Sequence, residues 1–487
     1  MSFIPVLFED HNLSRFRPLT WSAPLFEIRC GMFTARERVG LTAPSGPGIL
    51  LNRPLLDDLH RAEGWQVGPA ALAAMTADPA ARFLFVSGRL APDAAITASL
   101  FALEPATADF IWEDKDGIVA ALLTGERAAA LGEHWRRWED GVGVRGGWTR
   151  SGSGEIPPLD HPFPNPQRTD LPGGGACISP AGAAPVEPGH IAILDKLAAV
   201  QSQGPRWIWD LVPATTAAMT ADLKLARRCG SFRRQAFGIF PDLDRGLPGW
   251  VGESRFENPG AGTAGCLIED PRALFLADDV ELSPGTAIST AGGPVIIDRS
   301  VRVMPHCYLE GPLYLGPGSL VKPGARIHGQ SSFGIVNRIA GEIGESTFGD
   351  FANKQHEGFI GHAVLGSWIN LGAMTTCSDL KNNYGEIRVD LGEGAVATGR
   401  KFIGLLLGDH AKTAIGTLFN TGSAVGFATN IFGAGMPPKH VPNFRWGWGP
   451  DATDHALDRA TATAETVMNR RGCLFTDAHR RLFAALA

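Results

Sequence analysis

The chain of 487 residues carries 44 Lys and Arg against 50 Asp and Glu, a formal net charge of −6, with no basic run. That balance excludes nucleic acid as a partner and leaves anionic small molecules to be decided by local charge. Seven cysteines form no C-x-x-C pair and no stretch of about 18 uncharged apolar residues occurs, which argues against a disulfide framework, a zinc ribbon and a transmembrane helix. The first apolar run meets Glu9-Asp10-His11 too soon for a signal peptide, so the expectation is a soluble protein of the reducing cytoplasm.

Residues 1 to about 140 alternate short apolar runs (Pro5 to Phe8, Gly48 to Leu51, Phe83 to Val86) with Ala- and Leu-rich stretches such as Pro69 to Thr76. Alternation of this kind predicts an α/β domain. From 141 to 190 the composition collapses into Gly, Pro and Ser, with Gly173-Gly174-Gly175 as a sample. Such a stretch buries too little apolar surface to offset its ordering entropy, which predicts a flexible insertion. Order returns at Ile191, passes Trp207-Ile208-Trp209-Asp210, and continues as a helix from Thr215 to Arg228 closed by Cys229-Gly230. The α/β domain therefore spans 1–230, followed by a linker over 231–262.

The next segment has a different period. Ile297, Val303, Leu309, Leu315, Val321 and Ile327 recur every six residues, and Val301, Cys307, Leu313, Ser319, Ala325 and Ser331 hold the fifth place of each hexad. A helix wants recurrence near 3.6 and a strand near 2, so an unbroken six fits neither. It fits a parallel β-helix, in which three hexads make one triangular coil of about 18 residues and the first and fifth side chains fill the interior. The period begins at Leu276, resumes at Phe359, Leu365 and Leu371, and recurs from Leu407 to Ile431. This solenoid occupies 263–445. A helical tail over 446–487 is expected to cap its open end.

The hexads lapse between Glu342 and Gly358 and between Ser378 and Arg400, and loops on a rigid scaffold are where sites concentrate. The first lapse ends in His356-Glu-Gly-Phe-Ile-Gly-His362, followed by Trp368-Ile-Asn370-Leu-Gly-Ala. The second holds Asp379-Leu-Lys-Asn-Asn-Tyr384-Gly. These stretches resemble the active coil of the hexapeptide-repeat acyltransferases, above all the bifunctional UDP-N-acetylglucosamine pyrophosphorylase/glucosamine-1-phosphate N-acetyltransferase family. Together with Gly408-Asp-His-Ala-Lys412, Phe85-Val-Ser-Gly-Arg-Leu and Trp209-Asp-Leu-Val, they resemble a divergent bacterial sugar nucleotidyltransferase branch over nearly the whole chain outside 141–190.

The resemblance implies a left-handed β-helix that works as a homotrimer, with acetyl-CoA as co-substrate and an amino sugar phosphate as acceptor. It makes His356 the general base, apt because imidazole titrates near working pH, and places Asn370 on the amino sugar. Phe359 stands where the family has a Tyr at the sugar phosphate. The family's paired lysines fall on Gly344 and Glu345, so Lys354, Arg338 and Arg326 are the candidate phosphate cations. Lys381, Asn383, Tyr384 and Lys412 are candidates for the coenzyme. A zinc hydrase of the same fold is the metal-dependent alternative, but His306, His328, His356 and His362 do not stand at stacking separations.

In the N-terminal half Arg15-Phe16-Arg17-Pro18-Leu19-Thr20 resembles the phosphate motif of sugar nucleotidyltransferases, which implies a nucleoside triphosphate site at Arg15 and Arg17; Asp210 is a candidate Mg²⁺ ligand for such a site. The glycine positions of that motif are here Asp10-His11-Asn12-Leu13-Ser14, and its lysine position is Leu25. Two readings stand at this point: a nucleotidyltransferase joined to an N-acyltransferase, or an acyltransferase or non-catalytic binding and assembly protein whose first domain has lost its chemistry.

Overall fold

The computed structural model describes residues 3–9, 12–43, 46, 48–57, 59, 65–78, 80–103, 109–132, 166–180, 186–233, 253–259 and 263–487. Eight strands form the N-terminal sheet: β1 (Ile4–Phe8), β2 (Ile49–Leu51), β3 (Gln66–Val67), β4 (Arg82–Ser87), β5 (Phe110–Asp114), β6 (Gly117–Thr124), β7 (Gln167–Asp170) and β8 (Ala176–Ser179). Their order is β3-β2-β1-β4-β6-β5-β8-β7. The first four run parallel, and β6, β5, β8 and β7 pair antiparallel. β1 and β4 are apolar without alternation because both faces are covered. Val6, Phe8, Phe83 and Phe85 enter one core, and Leu7, Leu84 and Val86 enter another.

Part of the predicted flexible insertion is structured. Residues 141–165 and 181–185 lie outside the described residues, but β7 and β8 form the edge of the sheet. The glycines that made the stretch look disordered build the turn between them. Gly174 and Gly175 have φ of 115° and 82°, and a Cβ on Gly175 would lie 2.0 Å from the Glu113 carbonyl. Only glycine fits that combination of left-handed backbone and close approach. In the 231–262 segment Phe232–Arg233 pairs antiparallel with Glu253–Ser254, while 234–252 and 260–262 lie outside the described residues.

The solenoid has three faces of stacked short parallel strands. The first face runs from Leu267–Ile268 to Phe359–Gly361, the second from Leu274–Leu276 to His440–Val441, and the third from Glu281–Leu282 to Arg445–Trp446. Interior residues stack coil on coil: Leu309 on Ile327 and Ile343, Leu315 on Phe333, Val321 on Ile339. The corners have a rule of their own. Ser300, His306, Gln330, Val336, Phe351, Trp368, Met374, His410, Ala428 and Phe444 all have φ between 50° and 64°, and each lies three residues after an interior position. A left-handed residue at a corner turns the chain onto the next face.

The first lapse of the hexads is no loop. Strands Glu342–Gly344, Thr347–Phe348 and Asn353–Lys354 continue the three faces through shorter coils. The shortening shifts the register, so Ile360 rather than Phe359 stacks on Ile343, and Lys354 stacks on Ile339.

The second lapse holds a hairpin, Arg388–Asp390 with Ala395–Ala397. Ile387, Val389, Leu391 and Ile403 join the same core as Phe8, Phe85, Val364 and Leu406, so this insert fastens the N-terminal domain to the second face. The expected end cap is also corrected. Helices Leu457–Asn469 and Asp477–Leu486 pack Ala460, Ala464, Met468, Leu482, Phe483 and Leu486 along the corner between second and third faces. That corner offers Val336, Phe351, Trp368, Phe427 and Phe444, an apolar column too long to leave in water.

Ile387 is fully buried where hairpin, solenoid and N-terminal domain meet. Ile387→Ala is expected to cost about 2–5 kcal/mol and to split unfolding in denaturant, followed by fluorescence, into two separated transitions. A single transition at the parent midpoint would show that the hairpin does not couple the domains.

Candidate active site

The N-terminal domain packs on the second face and the tail on the adjoining corner, while the first face and the corner leading into it from the third carry exposed side chains. His356 stands at that corner, between strands Asn353–Lys354 and Phe359–Gly361, with its side chain exposed. On the third face beside it Asn353 and Asn370 are stacked neighbours, and Asn353 Nδ2 donates to Asn370 Oδ1 at 2.5 Å. The same outward column runs from Arg338 through Asn353 and Asn370 to Lys412. Arg338 Nη1 donates to the Gly318 and Asn337 carbonyls, and burial lowers its pKa.

On the first face Phe359 is half-buried and outward, and its ring leans over Gly361, where a Cβ would meet Phe359 Cζ at 2.4 Å and Asp379 Oδ2 at 2.5 Å. Beyond it, at the far corner, His362 Nδ1 lies 2.8 Å from Asp379 Oδ2 with its ring stacked on Phe402 at 4.9 Å. One carboxylate thus fixes the orientation of that imidazole. Arg326 reaches Glu357 at 3.3 Å and Glu342 at 3.7 Å. The partners Asn353 and Asp379 have no role in the sequence pattern and gain one only from the stacked coils. A signal for the His362–Asp379 pair existed, since a seventeen-residue step is one coil, but the hexad lapse hid it.

Lys354 requires a correction. It is 2% exposed and points into the prism, so it cannot meet a sugar phosphate on the outside. The coenzyme candidates divide. Tyr384 and Asn383 are exposed on the turn before the hairpin, where Asn383 Oδ1 accepts the Gly385 N–H at 3.0 Å. Lys381 Nζ donates to the Glu386 carbonyl of the same loop. Lys412 lies a coil away from Asn370, donates to the His410 carbonyl at 2.9 Å, and is lowered by burial to about 8. His410, beside Lys412, is buried and stacked on Trp368. Among the described residues no three His, Cys, Asp or Glu side chains stand close enough to hold a metal ion.

In an open α/β sheet ligands enter beyond the carboxyl ends of the parallel strands, and here that mouth is filled with internal ion pairs. Glu9, fully buried at the end of β1, accepts from Arg53 Nε at 3.0 Å and from the Arg53 and Leu25 N–H groups. Arg53 then holds the Thr20 and Ala23 carbonyls, which locks the loop after β1. Arg89 beyond β4 grips Asp114 with two nitrogens, at 2.6 and 2.8 Å. Arg15 bonds Asp116 at 2.9 Å and lies over Trp207, with Arg206 3.5 Å from the same carboxylate. Burial works against ionisation of Asp116, but Arg15, Arg206 and Arg89 outweigh it and hold the group below its ordinary value.

Arg17 pairs with Glu393 of the hairpin at 2.8 Å and covers Trp21. Asp210 Oδ1 accepts from Arg400 at 2.7 Å while Oδ2 accepts the Arg206 and Trp207 N–H groups. Those bonds make Asp210 a helix-start cap and a strut between domains, which corrects its reading as a metal ligand. Every carboxylate named at this mouth is engaged by a guanidinium, so among the described residues none is placed to fit a Mg²⁺ site.

Residues 5–139 match the family model for sugar nucleotidyl transferase. The bifunctional sugar-1-phosphate nucleotidylyltransferase/acetyltransferase of Sulfurisphaera tokodaii is 27% identical over 163 residues, 32% of this chain and 38% of that protein. The bifunctional protein GlmU of Acidithiobacillus ferrooxidans is 28% identical over 201 residues, 39% of this chain and 42% of its own length. GlmU of Paraburkholderia xenovorans is 32% identical over 119 residues, 23% of this chain and 24% of the relative. The chain thus spans about two-fifths or less of the curated relatives it matches.

A cavity of about 90 Å³ lies away from His356, where N-terminal domain, solenoid and tail meet at Ser22, Asp350, Trp368, Asp409, His410 and Phe483. Asp409 accepts from Ser22 Oγ at 2.7 Å and from the Ser367 N–H at 2.6 Å, and burial raises its pKa to about 6. A carboxyl raised above its unfolded value of 3.8 contributes stability that is full below that value and lost as pH rises through about 6. The melting temperature of the parent relative to that of Asp409→Asn should therefore fall between pH 4 and 7. A difference independent of pH over that window would refute the assignment.

Proposed function

We propose that the chain is an acetyl-CoA-dependent N-acyltransferase for an amino sugar phosphate, carried on a sugar-1-phosphate nucleotidyltransferase-like domain and serving nucleotide-sugar synthesis. The observation that carries this reading is the exposed His356 at a corner flanked by the Asn353–Asn370 pair on one face and Phe359 on the next. In the proposed step the substrate amine attacks the thioester carbonyl, the new N–C bond forms and the C–S bond breaks. His356 takes the amine proton and returns it to the departing thiolate. Asn370, oriented by Asn353, holds the sugar beside the imidazole, and Arg326 and Arg338 are the cations nearest in register for the phosphate. The exposed Asn383-Tyr384 turn and Lys412 supply the coenzyme contacts.

The assembly is a homotrimer in this reading. Met374, Ile415, Leu418 and Phe432 are exposed on the uncovered corner and face, and a neighbouring copy would cover them. For the N-terminal half a second reading has its own observation: the guanidinium–carboxylate pairs at the strand ends favour a domain that binds or assembles without nucleotidyl transfer.

His356→Ala is expected to lower kcat for acetyl transfer to glucosamine-1-phosphate by about 10²–10⁴, with His362→Ala doing much less. If His362→Ala costs more, the base is the imidazole held by Asp379. Pyrophosphate release from a panel of nucleoside triphosphates and sugar-1-phosphates, followed for the parent and Arg15→Ala, separates the two readings of the N-terminal domain. No release and no calorimetric nucleotide binding would leave it a scaffold. A stable monomer by light scattering in active preparations would remove the trimer.

A further inference from the structure

Lys354 occupies an interior position of the prism. Ile339 stacks on it from one coil, and the pairing of Asn353 with Asn370 sets Leu371 beside it on the other. Ile339, Ile360, Leu371 and Cys377 around it are all at most 2% exposed. A primary ammonium in such a stack loses its hydration, and a buried charge persists only where something specific compensates it. Burial lowers its pKa to about 8, with the Glu357 carboxylate pulling the other way. An apolar residue would fill the space at less cost.

Its Nζ donates a hydrogen bond to the His356 carbonyl, at 2.7 Å. The rest of the corner is built around that contact. Gly341, at φ 75°, leaves the opening: a Cβ there would lie 2.9 Å from Lys354 Nζ and 3.0 Å from both the His356 and Gly358 carbonyls. Gly358, at φ 126°, has no room for a side chain, since its Cβ would come within 2.1 Å of the Thr375 carbonyl. The neighbouring coils hold the same loop, the Met374 N–H donating to Glu357 O at 2.9 Å and the Glu342 N–H to Gly358 O at 3.4 Å. The loop that carries an exposed imidazole is therefore pinned from above, from below and from inside.

We propose that Lys354 is a positioning residue for His356, an ammonium clamp inside the prism that fixes the backbone of 355–358 and so the point from which the imidazole reaches the substrate. This rests on the reading of His356 as the base. Lys354 touches no substrate and acts through the His356 carbonyl. Its burial costs stability, and what it returns is placement of a reacting group, where a displacement of about 1 Å is worth roughly 10²-fold in rate.

Lys354→Met separates this from a space-filling role. Met restores an apolar stack of similar length, so the melting temperature should stay the same or rise. Over the same change kcat for acetyl transfer should fall about 10–100-fold with KM for acetyl-CoA unchanged. Hydrogen exchange at the Met374 and Glu342 amides, which donate to the loop, should quicken. A parallel loss of melting temperature and kcat would make Lys354 structural only, and unchanged kcat with unchanged exchange would leave the clamp idle; either result overturns the proposal. If the parent transfers no acetyl group, or His356→Ala matches the parent, the functional reading fails instead. The exchange measurement still decides the clamp in that case, with unchanged amides counting against it.

Discussion

Closure of each coil on the one before it is the constraint that governs this molecule. Two conditions must hold together: one side chain per face must fill the interior, and the residue at each corner must accept a left-handed backbone. Leu315, Phe333, Phe348 and Leu365 satisfy the first condition along the second face, and Val336, Phe351 and Trp368 the second at its exit corner. Once both are met, outward side chains fall into straight columns whose character is set by what covers them. Outward Tyr314, Val364 and Leu406 are buried because the N-terminal domain lies on that face. Outward Asn353, Asn370 and Lys412 are polar and only half-buried, since neither cover reaches them fully. The site follows from this economy of cover: it stands where neither the N-terminal domain nor the tail reaches.

The hexad period made the solenoid legible because interior residues repeat by type as well as by place. It was silent wherever coils change length. Dropping residues at a corner moves the interior position from Phe359 to Ile360 and puts Lys354 inside, and a fixed period of six cannot register either shift. The Gly-rich stretch concealed β7 and β8 for a related reason. Composition records that glycine is frequent, while the structure depends on where a left-handed turn and a 2.0 Å approach demand it. His356, Asn370 and Phe359 were reached through a motif and fall around one corner, whereas Asn353 emerged only once the coils were stacked.

Partners distant in sequence account for what the arginines of the first domain turned out to do. Arg17 meets Glu393 across 376 positions and Arg400 meets Asp210 across 190. A local motif has no access to either pairing. Both pairs tie the N-terminal domain to the hairpin of the solenoid, on top of the apolar contacts of Ile387 and Val389. The hairpin is thus a domain joint, and the coenzyme candidates Asn383 and Tyr384 lie on the exposed turn before it.

The same pairings bear on nucleotide chemistry through charge. A triphosphate needs cations that are free to turn toward it, yet the guanidiniums at the strand ends already face carboxylates. The Glu9–Arg53 pair is buried, and breaking one partner of such a pair costs about 3–5 kcal/mol, so it belongs to the fold. Arg15, Arg206 and Asp116 are different in kind, since both arginines stay partly exposed and share one carboxylate. An incoming phosphate that displaced Asp116 would gain two guanidiniums while losing none of the Glu9–Arg53 scaffold. The Asp116 carboxylate therefore sets the electrostatic threshold for any anion at that mouth: its removal should strengthen phosphate binding, where removal of a true metal ligand would weaken it.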